Sequence, residues 1–157
     1  MAIGGSMNFA HIHLITNHIP LLTTPVALIF LIYALKKNNN ELKRFSLIVI
    51  TITTATVLPV YFSGDPAAGV IEHIPGVIMQ AIEAHEEAAE FSLTMTLVSG
   101  ALAVATLVLS HHEKLRKILP RAVIASCLLS IGSLGYAAHL GGKIHHPETS
   151  DTTLKNP

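Results

Sequence analysis

Histidine is the residue type through which this sequence could do chemistry. Ten of its 157 residues are histidine. Imidazole binds haem iron, Cu and Zn, and it exchanges protons near neutral pH. The densest group of ionisable side chains surrounds His85. Its neighbours there are Glu83, Glu86, Glu87 and Glu90. The positions of the segments that carry the histidines determine which histidines can lie close together.

Composition indicates that these segments lie in a membrane. Half of the residues are hydrophobic and only 13% are charged, whereas soluble domains carry about 25% charged residues. The net charge is zero, which gives no electrostatic basis for binding nucleic acid. Cys127 is the only cysteine, so an internal disulfide, a thiolate zinc site and covalent c-type haem are excluded. The sequence has no hydrolase or nucleotide-binding motif.

Four apolar segments stand out, at about residues 14–35, 45–62, 82–110 and 118–140. Each is close to the ~20 residues that cross a hydrocarbon core of about 30 Å. We therefore predict an all-α fold, a transmembrane four-helix up-down bundle, in a single membrane domain of residues 1–146. Residues 147–157 are polar and are expected to form a flexible tail.

The charges of the connecting segments predict the orientation. Residues 36–44 and 111–121 each hold four basic residues and one acidic residue, whereas 63–90 hold six acidic residues and no Lys or Arg. Basic loops stay in the cytoplasm, so both termini are predicted outside. Residues 1–8 lack the basic residues of a cleaved signal peptide. The simplest location is a bacterial inner membrane, with the site at its periplasmic side.

This orientation gathers most histidines at the outer side of the membrane. Only His111 and His112 fall at the inner side, where we expect solvated loop residues. The outer histidines are His11, His13, His18, His73, His85, His139, His145 and His146. This asymmetry suggests a site assembled where the first and third helices begin and the fourth ends.

A b-type haem needs two imidazoles on facing helices. The candidate ligands can be chosen by their estimated height in the membrane, because the two ligands must lie at a similar level. Counting from the cytoplasmic ends places His18 roughly 25 Å and His139 roughly 30 Å up, with His11 and His85 roughly 36–38 Å up. His18 and His139 are therefore the predicted axial pair. The alternative is His85 with His11 or another histidine of the first helix. The competing interpretation is a set of interfacial histidines that bond to one another and to backbone carbonyls.

Helical phase separates His85 from its acidic neighbours. His85 shares a small-residue stripe that is expected to face the bundle. This stripe comprises Ala89, Ser92, Thr96, Ser99 and Ala103. The glutamates fall on the other side as a solvated or partner-facing patch, with Glu86 and Glu90 as candidates for proton exchange. Ile82 stands where a di-iron bundle has the glutamate of Glu-x-x-His.

Three other histidines are weaker candidates for a surface Cu or Zn site. They are His13, within His-x-His, and the adjacent His145 and His146.

Proline and glycine positions predict where the helices kink or end. Pro20 is expected to kink the first helix, residues 63–66 to form a turn, and residues 141–142 to end the fourth helix.

Four stretches resemble a family of small, mostly uncharacterised four-helix bacterial membrane proteins with many outer-face histidines. They are His-x-His-x-x-x-Asn-His-x-Pro at 11–20, Tyr-Phe-Ser-Gly-Asp-Pro-Ala at 61–67, Ile-Glu-x-His-Glu-Glu-x-Ala at 82–89 and His-Leu-Gly-Gly-Lys-Ile-His-His-Pro-Glu at 139–148. The resemblance implies the topology but no activity. The chain is also loosely similar to small membrane b-type cytochromes, which implies haem held between helices. It departs from them because no two helices each carry a pair of deep histidines.

The leading hypothesis is a b-type haem membrane protein that transfers electrons at the outer face. Its expected partners are membrane lipid, other subunits of a larger complex, and quinol or a periplasmic cytochrome. An autonomous enzyme is less favoured. Two alternatives remain: a membrane protein that binds Cu or Zn, and a cofactor-free structural subunit whose small-residue stripes pack against partner helices.

Overall fold

The computed structural model describes residues 9–71 and 79–145, and every regular element in these two ranges is a helix. The helices are α1 (Phe9–Thr16), α2 (His18–Lys36), α3 (Asn40–Phe62), α4 (Gly64–Ile71), α5 (Met79–Val108) and α6 (Glu113–His145). Four stretches are long and apolar enough to cross a membrane: His13–Lys36, Asn40–Ile71, Met79–Val108 and Glu113–Ile144. The predicted all-α fold with four helices of this kind is confirmed. The predicted tail at 147–157 lies outside the described residues.

The four long helices form a closed bundle. α2 packs against α3 and α6, and α5 packs against the same two helices. Buried Leu31, Leu47 and Val123 lie at the centre of this bundle. Large apolar side chains also cover the outside, where Ile29 is 64% and Leu129 61% exposed. An outer surface of this kind is suited to contact with lipid chains.

Small and hydroxyl-bearing residues line the seams between the helices. Ser92, Thr96, Ser99 and Ala103 are buried, which confirms that the predicted stripe of α5 faces the bundle. The hydroxyls donate to backbone carbonyls one turn back, as from Ser92 to Ala88 at 2.7 Å. The hydroxyl oxygens of Ser99 and Ser130 lie 3.0 Å apart and link α5 to α6. Small residues let helices approach closely, and hydroxyl bonds then join them.

Two interruptions divide the stretches His13–Lys36 and Asn40–Ile71. The first lies at Asn17, because Pro20 has no N–H to continue the helical hydrogen-bond ladder past that point. The second lies at Ser63, after which α4 begins at Gly64 with Pro66 in its first turn, where proline is tolerated. The second helix therefore ends at Phe62, as predicted, but residues 64–66 begin α4 and do not form the predicted turn. α1 and α4, the short helices beyond the interruptions, pack against each other.

The remaining connections follow local backbone chemistry. Asn38 adopts a left-handed conformation with φ 51°, which asparagine tolerates better than most residues. The Asn39 side chain then accepts a bond from Leu42 N–H at 2.9 Å and caps α3. α6 does not end at residues 141–142, as predicted, but continues to His145. Gly141 permits the close packing of His85, and neither Gly141 nor Gly142 terminates the helix.

Candidate functional site

A cavity of about 680 Å³ opens where α2 begins, α3 ends, α5 begins and α6 ends. Its lining is mainly apolar and includes Leu21, Val57 and Leu134. Three histidines also line it: His13, His18 and His85. Small-molecule and cofactor sites fall between about 300 and 1,000 Å³ and combine an apolar lining with a few polar groups. This cavity has the size and character of such a site.

His13 is held by the end of α3. Its Nδ1 lies 3.1 Å from the Val60 carbonyl oxygen and 3.0 Å from Ser63 Oγ. Ser63 Oγ donates its own hydrogen to Val60 O at 2.7 Å. Both neighbours of Nδ1 therefore act as acceptors, which places the imidazole hydrogen on Nδ1. The Nε2 lone pair of His13 is then available for a ligand.

His85 is held in the same way by α6. Its Nδ1 lies 2.8 Å from the Ala137 carbonyl oxygen, so Nδ1 donates and Nε2 keeps its lone pair. Gly141, one turn beyond Ala137, makes this approach possible. A Cβ atom at Gly141 would lie 3.1 Å from His85 Cε1. Metal-binding histidines commonly show this pattern, with the non-ligating nitrogen bonded to a carbonyl.

The two anchored rings are neighbours in an edge-on arrangement. The ring centroids of His13 and His85 are 6.4 Å apart, and the ring planes are nearly perpendicular at 88°. A metal–imidazole bond is about 2.0–2.1 Å, so two imidazoles on opposite sides of one metal have centroids about 6 Å apart. The observed centroid separation is close to that value.

Carboxylates surround the mouth of the cavity. They belong to Asp65, Glu83, Glu86, Glu87 and Glu90, and all five side chains are exposed. The exposure of the glutamates agrees with the predicted acidic patch, but they border the same cavity as His85. None of the described lining residues is Lys or Arg. Among the described residues, no three His, Cys, Asp or Glu side chains are grouped so as to hold a bare metal ion.

The predicted axial pair is not the pair that the structure brings together. His18 and His139 are exposed, and no ring contact joins them within the described ranges. His18 Nδ1 instead lies 2.7 Å from the Leu14 carbonyl of its own helix. His139 lies on α6 with exposed Gly132 and Gly135, away from the cavity lining.

The remaining histidines lie in several parts of the chain. The side chains of His11 and His145, and all of His73 and His146, lie outside the described residues. His13 forms half of the central pair. The sequence pattern predicts it as a weaker surface metal ligand and includes it only among the other first-helix histidines that could pair with His85. His111 and His112 are exposed and adjacent, with centroids 4.1 Å apart.

The sequence contained a signal for His13. It lies seven residues before Pro20 and fourteen before Ala27, so the three share one helix face. Pro20 and Ala27 are both buried. His18 instead shares its face with Leu22 and Ile29, which are exposed. Small Ala27 on the His13 face, against large Leu22 and Ile29 on the His18 face, was the sequence signal for the inward histidine.

Comparison with protein-family models, with curated proteins and with solved structures finds no match to this chain.

Proposed function

We propose that this chain is a b-type haem protein in which His13 and His85 are the axial ligands. One observation carries the proposal. Two imidazoles from different helices have their Nδ1 atoms bonded to carbonyls and their centroids 6.4 Å apart, beside a cavity of about 680 Å³. Their Nε2 atoms provide two ligands, and a porphyrin would add its own four nitrogens. This assignment replaces the pairing of His18 with His139.

The arrangement favours electron transfer over catalysis at the iron. A haem iron with imidazole on both sides has no open position for a substrate or for oxygen. The apolar lining, including Leu21 and Val57, provides a low-polarity environment for the macrocycle. The carbonyls of Val60 and Ala137 hold the rings in place, so His13 and His85 would hold a haem in a fixed orientation and the haem would supply the electron transfer.

We further propose an up-down bundle in a bacterial inner membrane, with both termini and the haem cavity at the periplasmic side. The cavity brings together the beginnings of α2 and α5 and the ends of α3 and α6, which supports alternating helix directions. The absence of Lys and Arg from residues 63–90 supports the outer placement of this end. A quinol or a periplasmic cytochrome would exchange electrons there, within a larger complex. Glu86 and Glu90 border the cavity and are exposed, as proton exchange with a quinol requires.

Absorbance of the purified protein tests the haem proposal. We expect a Soret band that shifts on reduction with dithionite. His13→Ala and His85→Ala should each abolish it, because each removes one axial ligand. His18→Ala and His139→Ala are matched controls that should retain it. A wild-type protein without a Soret band, produced by haem-replete cells, would refute the proposal. Loss of haem only in His18→Ala and His139→Ala would instead support His18 and His139 as the axial pair.

A Cu or Zn ion held by the same two rings is the second candidate, with water or a partner protein completing its ligands because no third described His, Cys, Asp or Glu joins the pair. The carboxylates at the cavity mouth favour it, because they attract cations, whereas haem propionates are anions. Elemental analysis would then find stoichiometric Cu or Zn without haem. His13→Ala and His85→Ala should both lose that metal.

A further inference from the structure

A second cavity, of about 430 Å³, lies where α2 ends and α3 and α6 begin. The connection between α2 and α3 contributes Asn38 and Asn39, and Asn40 is the first residue of α3. α6 contributes Arg116, Lys117 and Arg121, and α3 contributes Lys43. The described lining therefore holds four cationic side chains and no carboxylate. None of these residues belongs to the histidine cavity.

Two of the cations are available for a ligand. Arg116 and Arg121 are exposed, and neither makes a side-chain hydrogen bond or ion pair within residues 9–71 and 79–145. Lys117 pairs with Glu113 at 3.2 Å, but both side chains are largely exposed, so the pair is weak. Lys43 donates to Asn40 Oδ1 at 2.9 Å and keeps two further N–H donors.

We propose that this cavity binds the phosphate group of an anionic phospholipid. Guanidinium groups match phosphate oxygens with paired N–H donors, and lysine adds a point charge. The side-chain oxygen Oδ1 of Asn39 caps α3, and Oδ1 of Asn40 accepts from Lys43. The side-chain NH₂ groups of both asparagines therefore remain as donors. Basic pockets between membrane helices are known to bind lipid head groups.

Position and size favour a lipid over free phosphate. The cavity lies at the ends of stretches long and apolar enough to cross a membrane, since these end at Lys36 and begin at Asn40 and Glu113. Lipid head groups lie at that level of a bilayer. Leu35 and Pro120 add apolar lining beside the cations, where a glycerol backbone would pack. A volume of about 430 Å³ exceeds what a single phosphate ion occupies.

Native mass spectrometry of delipidated protein in detergent tests this proposal. The protein is titrated with phosphatidylglycerol, with phosphatidylcholine of the same acyl chains, and with inorganic phosphate. We expect the wild type to prefer phosphatidylglycerol. Arg116→Gln/Arg121→Gln should weaken that binding by about 30-fold, as expected for two charges at a membrane surface. Arg44→Gln/Lys114→Gln removes the same charge from exposed residues outside the cavity and should leave binding within about twofold.

Three results would overturn the proposal. One is equal affinity of the wild type for the two phospholipids, which can be measured even if a variant fails to fold. Another is an equal loss of binding in the control variant, which would indicate a diffuse charge effect. The third is displacement of phosphatidylglycerol by equimolar inorganic phosphate, which would identify a free anion as the ligand.

Discussion

At the scale of single residues, the orientation of two imidazoles defines the candidate haem site. Nδ1 of His13 is directed at Val60 O and Nδ1 of His85 at Ala137 O. Each bond fixes one tautomer and leaves Nε2 unprotonated, the form in which imidazole binds a metal. Ser63 contributes indirectly, because its hydroxyl donates to Val60 O and can only accept from His13.

Gly141 provides the most direct test of ring placement. A Cβ atom there would lie 3.1 Å from His85 Cε1, so Gly141→Ala should displace the ring and lengthen its bond to Ala137 O. Overpacking of this kind costs about 1–3 kcal/mol. We expect weaker haem retention, measured as loss of Soret absorbance during dilution into haem-free detergent.

Gly142→Ala is the matched control, because its Cβ would meet nothing within 4 Å. This variant should retain haem as the wild type does. Equal retention by both variants would contradict the assigned role of the His85 ring.

At the scale of helices, the site depends on interruptions of regular structure. The break at Asn17 and the restart at Gly64 create α1 and α4, which pack together beside the cavity. His13 lies on the first of these short helices, and Ser63 immediately precedes the second. Each break lies three residues before a proline that lacks an N–H, Pro20 for the first and Pro66 for the second.

Among the described glycines, Gly100 at the seam between α3 and α5 leaves the least room for a side chain. A Cβ atom at Gly100 would lie 2.5 Å from Thr54 Cγ2 and 2.7 Å from Thr54 Cβ. Gly100→Ala should therefore push α3 and α5 apart and destabilise the protein by about 1–3 kcal/mol. The measurement is thermal unfolding followed by circular dichroism in detergent.

Gly132→Ala, at an exposed position of α6, is the control for this experiment, since its Cβ would meet nothing within 4 Å. Alanine favours helix over glycine by about 1 kcal/mol. The control should therefore unfold at the same temperature as the wild type or higher. If Gly100→Ala also behaved in this way, the close approach of α3 and α5 would be refuted.

At the scale of the whole molecule, basic and acidic residues are concentrated in different segments of the chain. Residues 36–44 and 111–121 are basic, whereas residues 63–90 contain acidic residues and neither Lys nor Arg. One cavity is lined by histidine and carboxylates, and the other by Lys and Arg. The proposed orientation places the acidic cavity outside and the basic cavity at the cytoplasmic, anionic leaflet.

Cysteine labelling in intact bacterial cells tests this orientation. Gly69→Cys and Ser110→Cys introduce exposed thiols without changing the charge. A membrane-impermeant maleimide should label Gly69→Cys in intact cells and Ser110→Cys only after permeabilisation. Wild type is the unlabelled control, because its single cysteine, Cys127, is buried. The reverse pattern would contradict the orientation.

The sequence by itself determined the helical class and the four long apolar helices. Hydrophobic length is a local property, so it can be read without knowing how the helices pack. Helical phase likewise placed Ser92, Thr96 and Ser99 correctly on the buried face of α5, because the turn angle is fixed by the backbone. His85 was recognised as an inward residue for the same reason.

Only the tertiary structure decided which histidine meets His85. Depth along an ideal helix favoured His18, but the buried face of α2 is the one that His13 shares with Pro20. Hydrogen bonds from the rings of His13 and His85 to Val60 and Ala137 join residues 47 and 52 positions apart. Such contacts follow from how helices pack, and no local pattern specifies them. Gly141 shows the same limit, because its sequence suggests a helix end while its neighbour in space, His85, explains it as a packing residue.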